Sequence, residues 1–443
     1  MKIGIVSDMH LGYSRFEEDA YRQAKFALSK AASMSDAILM PGDIFDFRFP
    51  KPNIIAQAIK ILRPLMEKEW PAKIDSFNGA NNIYTSIPIL AIPGTHERTA
   101  VGKENPLNLL SLAGIVADIS EGTAIISKGE EKVAIYGLGG ISDDRVKDKL
   151  KELDPKPVKG MFNIFVMHQS VYEFMPFSTD FLKLEDLPEG FDLYINGHIH
   201  NRIEGKAHGK LFLIPGSTVL TQLKESEQEP KGFILYDTES NSHQFINIPS
   251  RPFMMKTLEF SKSSSDYVYK KCDGAIDDLL NNYNSRQDLP TEGSLTKPMK
   301  PIIRLVLEGT IESGTSVSSL NLRSLISKYT DSAHVEIDSK LSSESLEEEL
   351  SLVRSGQSDN LSIKDLGMEL LKKNSETLNI KNLDIISLFE MLDEDIAPSK
   401  KQEISEKVMK LFSDKESKDK EQSSNLDKEF KTEDKGKDQT KLF

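Results

Sequence analysis

Acidic residues and histidines directly follow short apolar stretches at five places in the chain. They are Asp8 and His10 in SDMH, Asp43 in PGDIFD, His96 in PGTHE, His168 in VMHQ, and His198 and His200 in NGHIH. A short apolar stretch is typical of a strand covered on both faces, and α/β sheets carry their chemistry where such strands end. Carboxylate oxygens beside imidazole nitrogens suit a divalent transition metal. The pattern therefore indicates a metal site built at the ends of several strands.

The recurrence of this pattern decides how it is interpreted. A single histidine at a strand end is more often a structural residue than a ligand, and a single Asp-x-His is more often an ordinary turn. Here five of the eight histidines of the chain fall at predicted strand ends. We therefore predict a dinuclear centre in which one carboxylate bridges two ions about 3.5–4 Å apart. The glycine before each of Asp43, Thr95 and His198 lets the backbone turn sharply, so that the side chains converge.

Alternating strands and helices come before a run of strands in the first 250 residues. The patterns predict strands at 3–6, 37–40 and 87–92, helices at 16–34, 53–68 and 106–113, and a loop at 70–85. Later strands are predicted at 124–126, 133–136, 164–167, 193–195, 211–214 and 233–236. This order predicts an α/β fold over residues 1–250, in which a two-sheet sandwich is flanked by helices.

The rest of the chain is predicted to form four further segments. Residues 251–340 predict a smaller α+β capping domain, with strands at 255–260, 302–307 and 333–337 and helices at 267–281 and 319–329. Residues 341–378, which begin with a Ser- and Glu-rich stretch, predict a linker, and apolar stripes at 379–413 predict a helical hairpin. Residues 414–443 predict a charged tail with too few apolar residues to fold.

The composition restricts the classes of function that fit. The chain has 443 residues and a net charge of −13, so any DNA-binding surface must be a local basic patch. The only cysteine, Cys272, cannot form an intrachain disulfide and fits a reducing cytosol. The sequence has no apolar run of membrane-spanning length and no signal-peptide pattern at its start, so we expect a cytoplasmic protein.

The motifs also resemble a known family. In order, DMHLGY, PGDIFDF, IPGTHERTAVG, MHQ and GHIH are similar to the motifs of the calcineurin-like metallophosphoesterases, and most closely to their SbcD/Mre nuclease branch. The similarity is strong over residues 1–250 and extends further by layout only. It implies the nuclease subunit of a double-strand-break repair complex, which works with an SMC-like coiled-coil ATPase of the SbcC/Rad type.

The resemblance also implies a role for each motif residue. One Mn²⁺ would be held by Asp8, His10, Asp43 and His200. Asp43 would bridge to a second Mn²⁺, completed by Thr95, His168 and His198, with Mg²⁺ as a poorer substitute. His96 would not bind metal; it would stabilise the scissile phosphate and protonate the leaving oxygen.

Two positions leave the expected chemistry open. The family usually has Asn where this chain has Thr95, and an amide carbonyl is a better ligand for a hard cation than a neutral hydroxyl. We therefore expect a weaker second site and activity that needs Mn²⁺ on the order of millimolar concentration. Asp46 could orient the phosphate or cap the following turn, and capping is the favoured interpretation.

These observations predict a Mn²⁺-dependent 3′–5′ exonuclease on duplex DNA and endonuclease on single strands and hairpins, associated with the chromosome. The helix at 53–68 and the segment 106–113 would form a homodimer contact, or would pack on their own sheet. The hairpin at 379–413 would bind the ATPase, or would pack on its own domain. The final Gln439, Leu442 and Phe443 resemble a sliding-clamp peptide faintly, and chance explains them better. The alternatives are a tethering scaffold with weak catalysis and a phosphodiesterase for small molecules.

Overall fold

A computed structural model describes residues 1–79, 82–98, 104–175, 181–285, 299–312 and 320–343. The helices are α1 (Glu17–Met34), α2 (Pro52–Met66), α3 (Pro106–Leu112), α4 (Val146–Leu153), α5 (Ser265–Asn284) and α6 (Leu322–Lys328). The first strands are β1 (Lys2–Ile5), β2 (Ala37–Met40), β3 (Lys73–Asn78), β4 (Ile89–Ala91), β5 (Ala117–Asp118), β6 (Gly122–Lys128), β7 (Glu131–Leu138) and β8 (Phe162–Met167). The later strands are β9 (Leu193–Asn196), β10 (Ile203–Ala207), β11 (Lys210–Ile214), β12 (Gly232–Asp237), β13 (Ser242–Asn247), β14 (Phe253–Ser263), β15 (Ile302–Ile311) and β16 (His334–Ser343).

The first sheet has six strands in the order β13-β12-β1-β2-β4-β5. Strands β1, β2 and β4 run parallel to one another, and β12 pairs antiparallel with β1. Strands β2 and β4 are buried along their whole length, which matches the continuous apolar runs of the sequence. Because the three strands are parallel, the segments that follow them emerge at the same edge of the sheet.

The second sheet has seven strands in the order β10-β11-β9-β8-β7-β6-β3. Its central strands β7, β8, β9 and β11 are parallel, with Leu138 opposite Met167 and Met167 opposite Asn196. His168 therefore follows the end of β8, and His198 comes shortly after the end of the neighbouring β9.

The core lies between the two sheets and on their outer faces. Inward-facing residues of both sheets pack together, including Ile5, Leu39, Ile164 and Ile195. Helices α1, α2 and α3 cover the other face of the first sheet, and α4 lies in an apolar cluster with residues of the second. The predicted α/β sandwich flanked by helices is confirmed.

One predicted element in this part of the chain is wrong. The segment 70–85 was expected to be a loop, but it contains strand β3, which pairs antiparallel with β6. β3 is an edge strand, and most of its side chains are at least partly exposed. A strand with one free edge and a mostly polar sequence lacks the apolar run from which buried strands can be predicted.

Residues 251–340 contain the predicted strands and helices. Strands β14, β15 and β16 form a three-stranded sheet in that order, and α5 and α6 belong to the same region. The chain divides into two compact units. Among the described residues, the first unit contains 1–79, 82–98, 104–175, 181–259, 266–285, 299–308 and 320–340. This division does not separate residues 1–250 from the segment that follows, and the predicted domain boundaries stay predictions.

The second unit contains residues 260–265, 309–312 and 341–343 among those described. In it the Lys262 N–H donates to Thr310 Oγ1 at 3.0 Å. The predicted hairpin at 379–413, the tail at 414–443 and all but the start of the linker lie outside the described residues. Within the described part of the chain, no helix has the length and apolar character needed to cross a membrane.

Candidate metal centre

The structure brings the predicted ligands together from both sheets. In two groups made up entirely of predicted ligands, the ligand atoms lie within 4.8 Å of one another, and a third group with this spacing joins His10 to Asp46 and His96. The first group is Asp8, His10 and His200, and the second is Asp43, His168 and His198. The segments that carry these residues follow β1, β2, β8 and β9, so the convergence results from the parallel strands of the two sheets.

The backbone at this centre is held in conformations that side chains rarely adopt. Four of the predicted ligands have positive φ angles: Asp8 at 50°, His10 at 46°, Asp43 at 49° and His198 at 70°. The left-handed region is costly for residues other than glycine, and such strain collects at functional sites where the surrounding structure enforces it. The strain here points the side chains of neighbouring turns toward one centre.

The first group has ring nitrogens that face each other. Nε2 of His10 lies 3.1 Å from Nε2 of His200, and His200 Nε2 lies 3.8 Å from Oδ1 of Asp8. Asp8 and His10 are almost fully buried, with 0% and 1% of their surface exposed. Two imidazole nitrogens and a carboxylate oxygen at these separations are a donor set that a divalent cation would satisfy.

The second group contains a buried nitrogen without a hydrogen bond. Nδ1 of His168 lies 2.7 Å from the Pro41 carbonyl oxygen, which assigns the ring proton to Nδ1. Nε2 of His168 lies 3.1 Å from Oδ2 of Asp43 without forming a hydrogen bond. A backbone carbonyl that orients the far nitrogen of a histidine is the usual support of a metal ligand. The residues of this group therefore fit a cation.

Thr95 lies at the edge of the second group. Its Oγ1 is 3.2 Å from Nδ1 of His198, and Oγ of Ser170 is 3.2 Å from Nε2 of the same ring. The hydroxyl oxygen of Thr95 is therefore close enough to His198 to coordinate a cation that His198 would hold. Ser170 was not predicted, because a serine after MHQ carries no signal that distinguishes it from a turn residue.

His96 and Asp46 form the solvent-facing side of the centre. The His96 side chain is 45% exposed, and its Nδ1 lies 2.8 Å from the Asp46 carbonyl oxygen. The Asp46 carboxylate lies 3.1 Å from Nδ1 of His10, which differs from the turn cap favoured on sequence grounds. His96 is therefore the imidazole best placed to meet a substrate, while Asp46 orients the ring of His10.

Burial and neighbouring charges shift the pKa values of the acidic residues and histidines at the centre in different directions. Burial raises the pKa of Asp8, whereas His168 outweighs burial and holds the pKa of Asp43 below its ordinary value. Burial opposes the proton on His168, but Asp43 raises its pKa to about 9. Burial and the charge of His168 lower the pKa of His198 to about 4. The negative charge of Asp43 that favours protonation of His168 would equally favour a cation at this place, and such a cation would find His198 already neutral.

A buried network that the sequence did not predict supports His200. Nδ1 of His200 meets Oγ1 of Thr221, which lies 3.2 Å from Oε1 of Glu227. Glu227 pairs with Lys231 at 3.0 Å, and these two side chains are only 2% and 5% exposed. Lys231 Nζ also donates to the His200 carbonyl oxygen at 3.3 Å. These contacts position both the ring and the backbone of His200.

Comparison with known proteins identifies relatives of the chain. Residues 1–202 match the family model "Calcineurin-like phosphoesterase". The double-strand break repair protein MRE11 of Encephalitozoon cuniculi is 30% identical over 305 residues, covering 62% of this chain and 53% of that protein. MRE11 of Homo sapiens is 27% identical over 360 residues, covering 69% of this chain and 50% of that protein. Mre11 of Saccharolobus solfataricus is 27% identical over 318 residues, covering 69% of this chain and 74% of that protein.

These relatives confirm the resemblance to the Mre-type proteins. The chain spans about half the length of the first curated relatives that it matches. The match of residues 1–202 to the family model and the two groups of predicted ligands together indicate that the centre binds divalent metal. The assignment of individual ligands to individual ions stays a prediction.

Proposed function

We propose that this chain is a Mn²⁺-dependent DNA nuclease of the Mre type, because residues 1–202 match the calcineurin-like phosphoesterase family model. The observation that carries the proposal is the pair of ligand groups beside one exposed imidazole, His96. Such an arrangement suits the hydrolysis of a phosphodiester by a dinuclear centre, which needs no nucleophilic side chain.

Each residue of the centre has a role in this proposal. Asp8, His10, Asp43 and His200 would hold one ion, and Asp43 would share a second ion with Thr95, His168 and His198. When bound, two Mn²⁺ ions polarise a phosphodiester and lower the pKa of an attacking water.

The chain's own groups supply the remaining chemistry. The attacking water would lose one proton to bulk solvent and bond to phosphorus as the bond to the leaving 3′-oxygen breaks, and the proton on Nε2 of His96 would pass to that oxygen. The Asp46 carbonyl, 2.8 Å from Nδ1, would accept one ring proton of His96, so the proton that passes to the leaving oxygen is the second one, carried on Nε2 of the imidazolium form.

The similarity to double-strand break repair proteins supports DNA as the substrate. We extend the proposal to 3′–5′ exonuclease activity on duplex DNA and endonuclease activity on single strands and hairpins. Residues 251–340 would contact DNA as a capping domain, and the enzyme would act at the chromosome. The segment 379–413 would bind a coiled-coil ATPase partner, and α2 and α3 would pair two copies of the chain.

One observation favours a second candidate function. Thr95 offers a hydroxyl where the family usually has an amide carbonyl, and its Oγ1 lies against His198. If the second ion is held too weakly, the chain would act mainly as a scaffold that tethers DNA and the ATPase.

Nuclease assays on labelled duplex and hairpin DNA with Mn²⁺ test the proposal. We expect wild-type cleavage that is lost in Asp8→Ala and kept in Asp148→Ala, a matched change at a carboxylate that is 84% exposed. DNA binding without cleavage at any Mn²⁺ concentration would favour the scaffold. Hydrolysis of small diesters without cleavage of DNA would favour a phosphodiesterase for small molecules.

A further inference from the structure

Two exposed aromatic rings follow directly after the metal centre. Residues 47–51, with the sequence FRFPK, are here called the aromatic loop. Phe47 is 43% exposed and Phe49 is 69% exposed, and Arg48 and Lys51 beside them are exposed as well. Exposing a phenylalanine forgoes the free energy of burying it, so a pair of such rings beside a functional centre indicates a binding surface.

The aromatic loop is anchored at both ends. At the first end, the Asp46 N–H donates to the Leu11 carbonyl oxygen at 3.1 Å, and the Asp46 carbonyl faces Nδ1 of His96 at 2.8 Å. At the other end, the Lys51 carbonyl accepts the Ile54 N–H of α2 at 2.9 Å. Pro50 and Pro52 restrict the backbone between and after these contacts. The rings are therefore presented at a fixed place next to the exposed imidazole.

The distance between the rings and the centre is short. Phe47 is the next residue after Asp46, and three residues span at most about 10 Å, so Phe49 also lies near His96. Successive bases along one strand of a duplex rise by roughly 3.4 Å. The loop therefore lies within two or three nucleotides of a phosphate at the centre.

The positive charges of Arg48 and Lys51 in the aromatic loop favour binding of a polyanion. Among the residues that the structure describes, the side chains of Arg48 and Lys51 make no ion pair. These two unpaired cations stand beside the centre in a chain whose net charge is −13. Alternating rings and cations are the combination that binds single-stranded nucleic acid, in which bases stack on aromatic faces while cations meet phosphates.

We propose that the aromatic loop stacks unpaired bases of the strand whose phosphate occupies the metal centre. This inference rests on the proposed nuclease function and specifies its substrate as a strand separated from its complement near the cleaved bond. Phe47 and Phe49 supply stacking faces, and Arg48 and Lys51 hold the flanking phosphates. Bases inside a duplex are not available to these rings, because both of their faces are already stacked on neighbouring bases.

Equilibrium binding of the full chain to a single strand containing 2-aminopurine tests the proposal, without Mn²⁺ so that nothing is cleaved. The quenching of 2-aminopurine fluorescence reports stacking. We expect Phe47→Leu/Phe49→Leu to bind about tenfold more weakly or worse, since stacking on aromatic side chains contributes strongly per base. Phe26→Leu is the matched control, because Phe26 is 41% exposed on α1 and should bind like wild type.

A strand of abasic sites separates stacking from charge. It keeps every phosphate and removes every base, so the double leucine variant should bind it as wild type does. Arg48→Ala should weaken binding to both strands and reduce the salt dependence of binding. Phe47→Trp/Phe49→Trp should keep the base-dependent binding that the double leucine variant loses. A merely structural role of the two rings would not predict this difference.

Three outcomes would overturn the proposal. They are wild-type affinity in the double leucine variant, an equal loss on the abasic strand, and a change in oligomer mass by light scattering that accounts for the binding defect. Cleavage is scored separately on wild type. Base-dependent binding without cleavage would contradict the proposed function and keep the stacking surface, whereas cleavage with unchanged leucine variants would remove only the surface.

Discussion

In the proposed two-ion centre, Thr95 is the residue expected to limit the affinity for the second ion. Its hydroxyl lies 3.2 Å from His198 Nδ1, so the side chain is in place and only its donor chemistry is in question. A neutral hydroxyl is a poorer ligand for a hard cation than an amide carbonyl. The donor strength of this one side chain therefore distinguishes the nuclease proposal from the scaffold alternative.

Thr95→Asn should tighten binding of the weaker Mn²⁺ by on the order of tenfold, the scale of changes around a metal site. Isothermal titration and the electron paramagnetic resonance signal of free Mn²⁺ both measure this affinity. Thr95→Val, which keeps the shape and removes the hydroxyl, is the control and should weaken the same site. Two tight and equal sites in the wild type would contradict the argument.

Glu227 is the residue that holds His200 in place from behind. Glu227→Gln leaves Lys231 buried without its partner, which should lower the free energy of unfolding by about 3–5 kcal/mol. We also expect weaker Mn²⁺ binding by the remaining folded protein, measured by titration. Glu225→Gln, an exposed neighbour, should leave both quantities unchanged.

The effect of Glu227 should depend on pH. Burial opposes its ionisation, but Lys231 and backbone N–H groups hold its pKa below the ordinary 4.5. A lowered carboxylate pKa stabilises the fold fully above 4.5, and this stability is lost as the pH falls through the pKa of the folded state. Urea unfolding of wild type and Glu227→Gln should therefore differ most near neutrality and converge in acid. A constant difference across that range would show that the charge is not responsible.

At the scale of elements, the turns after the parallel strands assemble the centre. A Cβ atom added at Gly94 would collide with the carboxylate and the N–H of Asp43, and one at Gly42 would collide with the ring of His168. Gly42 also has a φ of +94°. At Gly42 and Gly94 the backbone therefore has to pass close to the predicted metal ligands His168 and Asp43, and only glycine leaves room for this.

Gly94→Ala should abolish tight Mn²⁺ binding and lower the melting temperature, because Asp43 cannot keep its position. Gly274→Ala is the matched control: it lies in α5 with nothing within 4 Å of the added Cβ. Alanine in a helix interior should stabilise the protein by up to about 1 kcal/mol. Calorimetry and metal titration on both variants test this, and intact metal binding in Gly94→Ala would refute it.

The sequence predicted those elements whose signal is local. Buried parallel strands such as β2 and β4 were visible as apolar runs, and their ends located the ligands. The edge strand β3 was missed because its side chains are mostly exposed. Ser170 and Thr221 were missed because a polar loop residue gains its role only from what the fold brings beside it. Asp46 was noticed, but its contact with His10 depends on tertiary structure.

At the scale of the whole molecule, the structure shows which apolar residues of α2 and α3 are exposed enough to form the predicted dimer contact. In α2, Ile54 and Ile61 are buried in the core of their own sheet, as the alternative interpretation expected. In α3, Leu109 and Leu112 are 46% and 53% exposed, although Leu107 and Leu110 beside them are buried. The apolar surface available to a second copy therefore lies mainly on α3.

Leu109→Asp/Leu112→Asp should halve the mass of the proposed dimer in light scattering, because charges at a buried apolar contact are costly. Phe26→Asp introduces a charge at a ring that is 41% exposed on α1 and should leave the mass unchanged. A double variant that keeps the mass of a dimeric wild type would exclude α3 from the contact.

The order of strands in the first sheet has a consequence for biosynthesis. Strand β1 has β12 as one of its neighbours, with Lys2 opposite Asp237, and His10 meets a histidine 190 positions later. At roughly 5–20 residues per second, a ribosome adds that histidine on the order of ten seconds after His10. Until then the nascent polypeptide lacks His198 and His200, one member of each ligand group, so a prematurely terminated translation product should complete neither group.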